Sequence, residues 1–244
     1  MMMIVSAAAG CGRLNFEVER GRDGDGSIGG DAPGDASGDA SVGADLCPTT
    51  PLLADDFDDG TISTGPAGTW INTFMTTVSI AENQGRLVVT FPPGTVSNSH
   101  AGVVSRRFDL SAACAWVQSP VLPAMTTAAY AYLTIEEAAG MNPGRITIAV
   151  GAGVLEIRKQ LSGGSLQIVD TIPYDPVAHA WWRVRTDPVA AWETSSDLLT
   201  WQVLHQESKY FALTMSQVVI GAGTDAASTN AGTAEFDTAR IVTR

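Results

Sequence analysis

Short apolar runs broken by turn residues dominate the second half of this chain. Gly85 to Phe91 is mostly aliphatic and stops at Pro92-Pro93-Gly94. Ala128 to Ile135 alternates small, aromatic and aliphatic side chains. Arg145 to Val150 places Ile146, Ile148 and Val150 on one face, since successive strand residues point to opposite sides. Val154 to Lys159 and Ser165 to Ile172 flank Gly163-Gly164, which predicts a hairpin. In Ala180 to Thr186, Trp182 and Val184 share one face, whereas Trp181, Arg183 and Arg185 share the other. Gln217 to Ile220 and Thr233 to Val242 complete the series. About a dozen strands at this spacing predict an all-β sandwich, and no segment shows capped helical periodicity.

The pattern is absent from the first part of the chain. Residues 1–11 are short and apolar and end at Cys11. Residues 12–46 are acidic and rich in Gly, Asp and Ala, with Gly30-Asp31-Ala32, Gly34-Asp35-Ala36 and Gly38-Asp39-Ala40 recurring every four residues. So few apolar groups cannot offset the entropy of ordering a chain, which predicts a disordered tether. The folded domain is then expected over residues 47–244. Ala8-Ala9-Gly10-Cys11 resembles a bacterial lipobox. The resemblance implies lipidation at Cys11, export, and anchoring at the outer membrane of a Gram-negative bacterium, facing the periplasm or the cell surface. A basic leader segment is missing ahead of it, so the signal looks truncated.

Composition narrows the partners. The formal net charge is −12, of which the tether holds eight acids and three arginines. An acidic domain repels phosphate backbones, so nucleic acid is excluded as a partner. No apolar run is long enough to span a bilayer as a helix, which leaves the lipid as the expected membrane contact. With Cys11 acylated, Cys47 and Cys114 remain as a pair. A disulfide between them is expected in an oxidising compartment, with two free buried thiols as the alternative.

Four segments resemble concanavalin A-like lectin/glucanase domains. They are Asp55-Asp56-Phe57-Asp58-Asp59-Gly60 followed by Trp70, the strand His179 to Arg185, the hairpin Trp192 to Trp201, and the closing strand Ala234 to Ile241. Leu198 stands where the family's turn carries Gly. The resemblance implies a jelly roll of two curved antiparallel sheets. Enzymes of that superfamily carry an E-x-D-x-x-E-like strand. Here Glu235 and Asp237 match its first two acids, and Ala239 and Arg240 stand where the third belongs. Glu136 and Glu137 are adjacent, so they face opposite sides and cannot pair.

The expectation is therefore a non-catalytic domain that binds carbohydrate. A structural or protein-interaction domain and a glycoside-active enzyme stay open as alternatives. Sugar rings stack on aromatic faces beside polar groups, which nominates Tyr130, Tyr132, Trp181, Arg183 and Arg185 as ligand-binding residues. The partner is then a glycan or a cell-surface protein. No cofactor is required, although Asp56, Asp58 and Asp237 offer carboxylates to calcium.

Overall fold

A computed structural model describes Cys47 and residues 50–243, apart from 126, 139 and 141. Cys11 and the tether therefore lie outside the described residues. Fifteen strands are present: β1 (Pro51–Asp55), β2 (Trp70–Met75), β3 (Ser79–Glu82), β4 (Leu87–Thr90), β5 (Ser99–Ser105), β6 (Ala113–Val121), β7 (Ala129–Glu137) and β8 (Arg145–Gly151) come first. They are followed by β9 (Val154–Gln160), β10 (Leu166–Pro173), β11 (Trp181–Arg185), β12 (Ala190–Ser195), β13 (Gln202–Glu207), β14 (Ser216–Thr224) and β15 (Thr233–Thr243). All named pairings are antiparallel. One sheet runs β13-β12-β11-β6-β15-β4-β3, with β1 also on β15; the other runs β10-β9-β8-β7-β14-β5-β2. This is the expected all-β sandwich, and β9 and β10 pair across Gly163-Gly164 as the turn signal requires.

The core lies between the two sheets. The second sheet contributes Leu133, Ile135, Ile146, Ile148, Leu155, Ile157 and Ile220, and the first contributes Leu87, Val89, Val117, Trp182, Trp192 and Phe236, all buried. Full burial of each such aliphatic side chain is worth about 1.5–3 kcal/mol. The three fully buried indoles, Trp70, Trp182 and Trp192, keep their N–H groups bonded, as desolvation demands. Trp192 donates to the Thr147 carbonyl of the facing sheet at 3.0 Å. Trp182 donates to His179 O at 2.9 Å. Trp70 donates to Asp55 Oδ2 at 2.7 Å and its ring stacks on Phe57. That contact gives the Asp55 to Trp70 sequence signature a physical meaning: the acid positions the tryptophan that closes one end of the core.

Cys47 and Cys114 form a disulfide, with Cα atoms 5.7 Å apart. It ties the entry of the domain to β6, which lies between β11 and β15.

The turn between β12 and β13 shows how Leu198 replaces a glycine. Its φ is 66°, in the left-handed region. Local side chains hold it there: Ser195 Oγ accepts from the amide of Leu198 at 2.9 Å, and Asp197 Oδ1 accepts from the amides of Leu199 and Thr200, each at 2.9 Å. A side chain in this region is strained, and glycine removes the strain while adding entropy to the unfolded chain. Leu198→Gly should therefore stabilise the domain by about 0.5–1 kcal/mol. Thermal melting would show a rise of about 1–4 °C, and an unchanged or lower midpoint would refute the argument.

Candidate functional site

The outer face of the sheet containing β7 carries a groove of about 490 Å³, within the range of small-molecule and oligosaccharide pockets. Strand alternation builds its floor. On β7, Tyr130, Tyr132, Thr134 and Glu136 point outward while Ala131, Leu133 and Ile135 point into the core. Register then sets what stands beside them. Glu136 pairs with Arg145 on β8 and Gln217 on β14. Thr134 pairs with Thr147, which pairs with Arg158 on β9. Tyr130 pairs with Gly223, which pairs with His100 on β5.

Glycines make room for the rings. A Cβ on Gly223 would sit 2.0 Å from His100 Nδ1, and one on Gly221 would sit 2.4 Å from the Ala101 carbonyl. Without those side chains, the Tyr130 and Tyr132 centroids lie 5.8 Å apart, and His100 is 6.1 and 6.4 Å from the two rings. The guanidinium of Arg158 lies 4.4 Å over the Tyr130 ring and its Nε donates to Glu156 at 2.6 Å. Tyr130 donates its hydroxyl to Asp225 Oδ1 at 2.9 Å. Burial pushes both tyrosine hydroxyls above their ordinary range, so they act as neutral donors. Burial also lowers the His100 imidazole, aided by Arg145 and Arg158 and opposed by Asp225, which favours the neutral ring.

One carboxylate faces the middle of this floor. Glu136 accepts from Arg145 Nε at 2.8 Å and from Gln217 Nε2 at 2.9 Å. Its neighbour Glu137 points the other way and pins a loop, accepting from the Gly144 amide at 2.7 Å and the Ser162 hydroxyl at 2.6 Å. The two adjacent acids do face opposite sides.

The structure divides the residues nominated as ligand contacts. Tyr130 and Tyr132 line the groove. Trp181, Arg183 and Arg185 belong to the other sheet and face away from it. Arg183 and Arg185 are buried on Glu193, with Nε to carboxylate distances of 2.5 and 3.0 Å, and Trp201 covers Arg183 at 3.9 Å. The five nominated residues therefore do not form one site: the tyrosines lie on one sheet and Trp181, Arg183 and Arg185 on the other. Glu235 and Asp237 are also on that other sheet, where β-bulges flank Asp237 and the intervening Phe236 is core. Glu235 bonds Arg86. Sequence reasoning missed His100, Arg145 and Arg158. The outward position of Glu136 was available from simple alternation with Tyr130 and Tyr132, but its partners required the strand pairing.

The acids nominated for calcium do not gather. Asp56 is ion-paired to Arg240 at 2.6 Å. Among the described residues, no three His, Cys, Asp or Glu side chains group to hold a metal. A different acid pair forms nearby, where Glu82 and Asp59 share a hydrogen bond. Burial, that bond, and the charges of Asp55 and Asp59 push the Glu82 carboxyl up to about 7. The folded state therefore holds a proton that the unfolded chain releases near its ordinary value of 4.5. This contribution is fully present below that value and is lost as pH rises through about 7. Melting should fall between about pH 5 and pH 7, and Glu82→Gln should flatten that slope. An equal slope in the variant would contradict the assignment.

No protein-family model matches the sequence, and no curated protein matches it. Solved structures do share its fold. The Bacillus licheniformis β-glucanase matches with a TM-score of 0.57 and 10% identity, over 81% of this chain and 100% of that one. The transglycosylase Crh5 in its apo form matches at 0.54 and 12% identity, over 81% and 88%. A protein of Mycobacterium tuberculosis described as an immunostimulatory antigen and pseudo β-1,3-glucanase matches at 0.51 and 10% identity, over 80% and 99%. These neighbours overturn the expectation of a non-catalytic lectin-like module that is not an enzyme. The fold companions include glucanases, glycoside hydrolases and a transglycosylase. The chain has the concanavalin A-like glucanase fold.

Proposed function

We propose that this protein is glycoside-active and takes a carbohydrate chain along the groove beside β7. One observation carries the reading: a paved aromatic floor, Tyr130 with Tyr132, continues along one strand face to a fixed carboxylate, Glu136. The rings offer stacking faces to sugars. The Tyr132 hydroxyl takes no hydrogen bond among the described residues and meets the groove as a donor. Glu136 is suited to stabilise the oxocarbenium-like charge that builds at an anomeric carbon during cleavage or transfer. The fold's solved relatives, which act on glycosidic bonds by name, support the same reading.

Incubation with β-1,3-, β-1,4- and mixed-linkage glucans, followed by mass spectrometry of the products, tests it. Shortened or transferred oligosaccharides from at least one substrate are expected. Unchanged substrate throughout would reject the proposal.

Export and anchoring belong to the same proposal. Support comes from the lipobox resemblance at Cys11 and from the acidic spacer that follows, which would hold an active domain away from an outer membrane. Metabolic labelling with a fatty acid should mark the wild type and not Cys11→Ser. Equal labelling of both would exclude acylation at this residue.

A further inference from the structure

We infer that the groove selects glycans bearing an acidic group, with Arg145 as the residue that reads it. The inference rests on the groove being the carbohydrate site. The charged residues that line this groove are Arg145, Arg158 and Glu136, and two further acids, Glu156 and Asp225, sit against Arg158 at its end. Each of these charges is held differently. Glu136 accepts from Arg145 and Gln217, one bond on each carboxylate oxygen, so its charge is already matched by Arg145. Arg158 is nearly buried, stacked over Tyr130 and bound to Glu156.

Arg145 is the exception. Its side chain is 39% exposed in the groove. Only Nε is bonded, to Glu136, and the terminal nitrogens take no hydrogen bond among the described residues. The backbone beneath is fixed on three sides. Arg145 pairs with Glu136 and with Gln160, and its carbonyl accepts the Tyr210 hydroxyl at 2.6 Å. A guanidinium held by Nε keeps its other edge in a set plane, which matches the two oxygens of a carboxylate or sulfate. Arg158 lies diagonally across the β8–β9 pair from Arg145, which sets the two backbones about 7–8 Å apart. The charge of that second guanidinium is taken up by Glu156 and Asp225, which leaves Arg145 as the one an anion meets. A neutral sugar uses none of this charge.

The test is isothermal titration of the full-length protein with three β-1,3-linked hexasaccharides: laminarihexaose, its C6-oxidised glucuronic form, and its C6-sulfated form. At least one acidic form should bind about tenfold tighter than the neutral one. The tighter of the two acidic forms identifies carboxylate or sulfate as the natural group. The advantage should shrink as salt rises. Arg145→Gln should abolish the preference, so that the acidic forms bind no tighter than the neutral one. Arg145→Lys, which keeps charge without the planar fork, should restore part of it. Thermal melting of both variants checks that they are folded. Neutral binding as tight as acidic binding would overturn the inference and leave the carbohydrate site standing, as would an unchanged preference in Arg145→Gln. No binding of any of the three would overturn both.

Discussion

Glu193→Ala should cost the domain about 3–5 kcal/mol, because it removes the carboxylate that two buried guanidiniums share. The carboxylate of Glu193 takes Arg183 on one oxygen and Arg185 on the other, and all three side chains are 3–6% exposed. The triad spans adjacent strands: Arg183 is directly opposite Glu193, and Arg185 lies one step along the same face. Removing a charge that water cannot replace leaves the arginines to be desolvated at a loss, which is why breaking such a group costs more than its net worth. For a domain of this size, the melting midpoint should drop on the order of 10 °C. Glu193→Gln, which keeps the shape and removes the charge, should fall between. A loss under 1 kcal/mol in Glu193→Ala, measured by urea denaturation with an unchanged slope, would show that the pairs are idle. It would also reopen Arg183 and Arg185 as ligand contacts.

The second large effect concerns turnover. Glu136→Gln should lower the rate of glycoside cleavage or transfer at least 100-fold, the usual minimum for removing a carboxylate that acts on the reacting bond. Stability should barely change. Glutamine fills the same space, and the lost ion pair joins a partner that is 39% exposed, where such pairs contribute about 0–1 kcal/mol. The separation of the two effects is what makes the variant informative. A rate within a few-fold of wild type would move the chemistry away from Glu136. The pair Glu156 and Asp225 would be next, since both reach Arg158 at the end of the groove.

Much of the fold was legible because it depends on local alternation. Trp182 and Val184 share a face by period two, and both are buried. The Cys47–Cys114 bridge followed from counting. The site was legible only in part. Tyr130 and Tyr132 share a strand face, and that local fact sufficed to nominate them. Whether Trp181, Arg183 and Arg185 joined them depended on which sheet each strand enters. β7 pairs with β14, nearly ninety positions on, and β11 pairs with β6, more than sixty positions back. Nothing in a strand's own alternation records such a partner. Spacing alone could not settle Glu235 and Asp237, where bulges break the even count that would keep the two acids in register. The outward carboxylate at Glu136 was not legible from its neighbour Glu137, because what stands beside each depends on the partner strands.

The central claim is that carbohydrate is held over Tyr130, Tyr132 and Glu136. A crystal of Glu136→Gln soaked with the oligosaccharide that the wild type consumes tests it most directly. Sugar density stacked on the two tyrosines, with a ring against position 136, is the predicted result. Density on the opposite sheet, around Trp181 and Trp201, with the groove empty would contradict it.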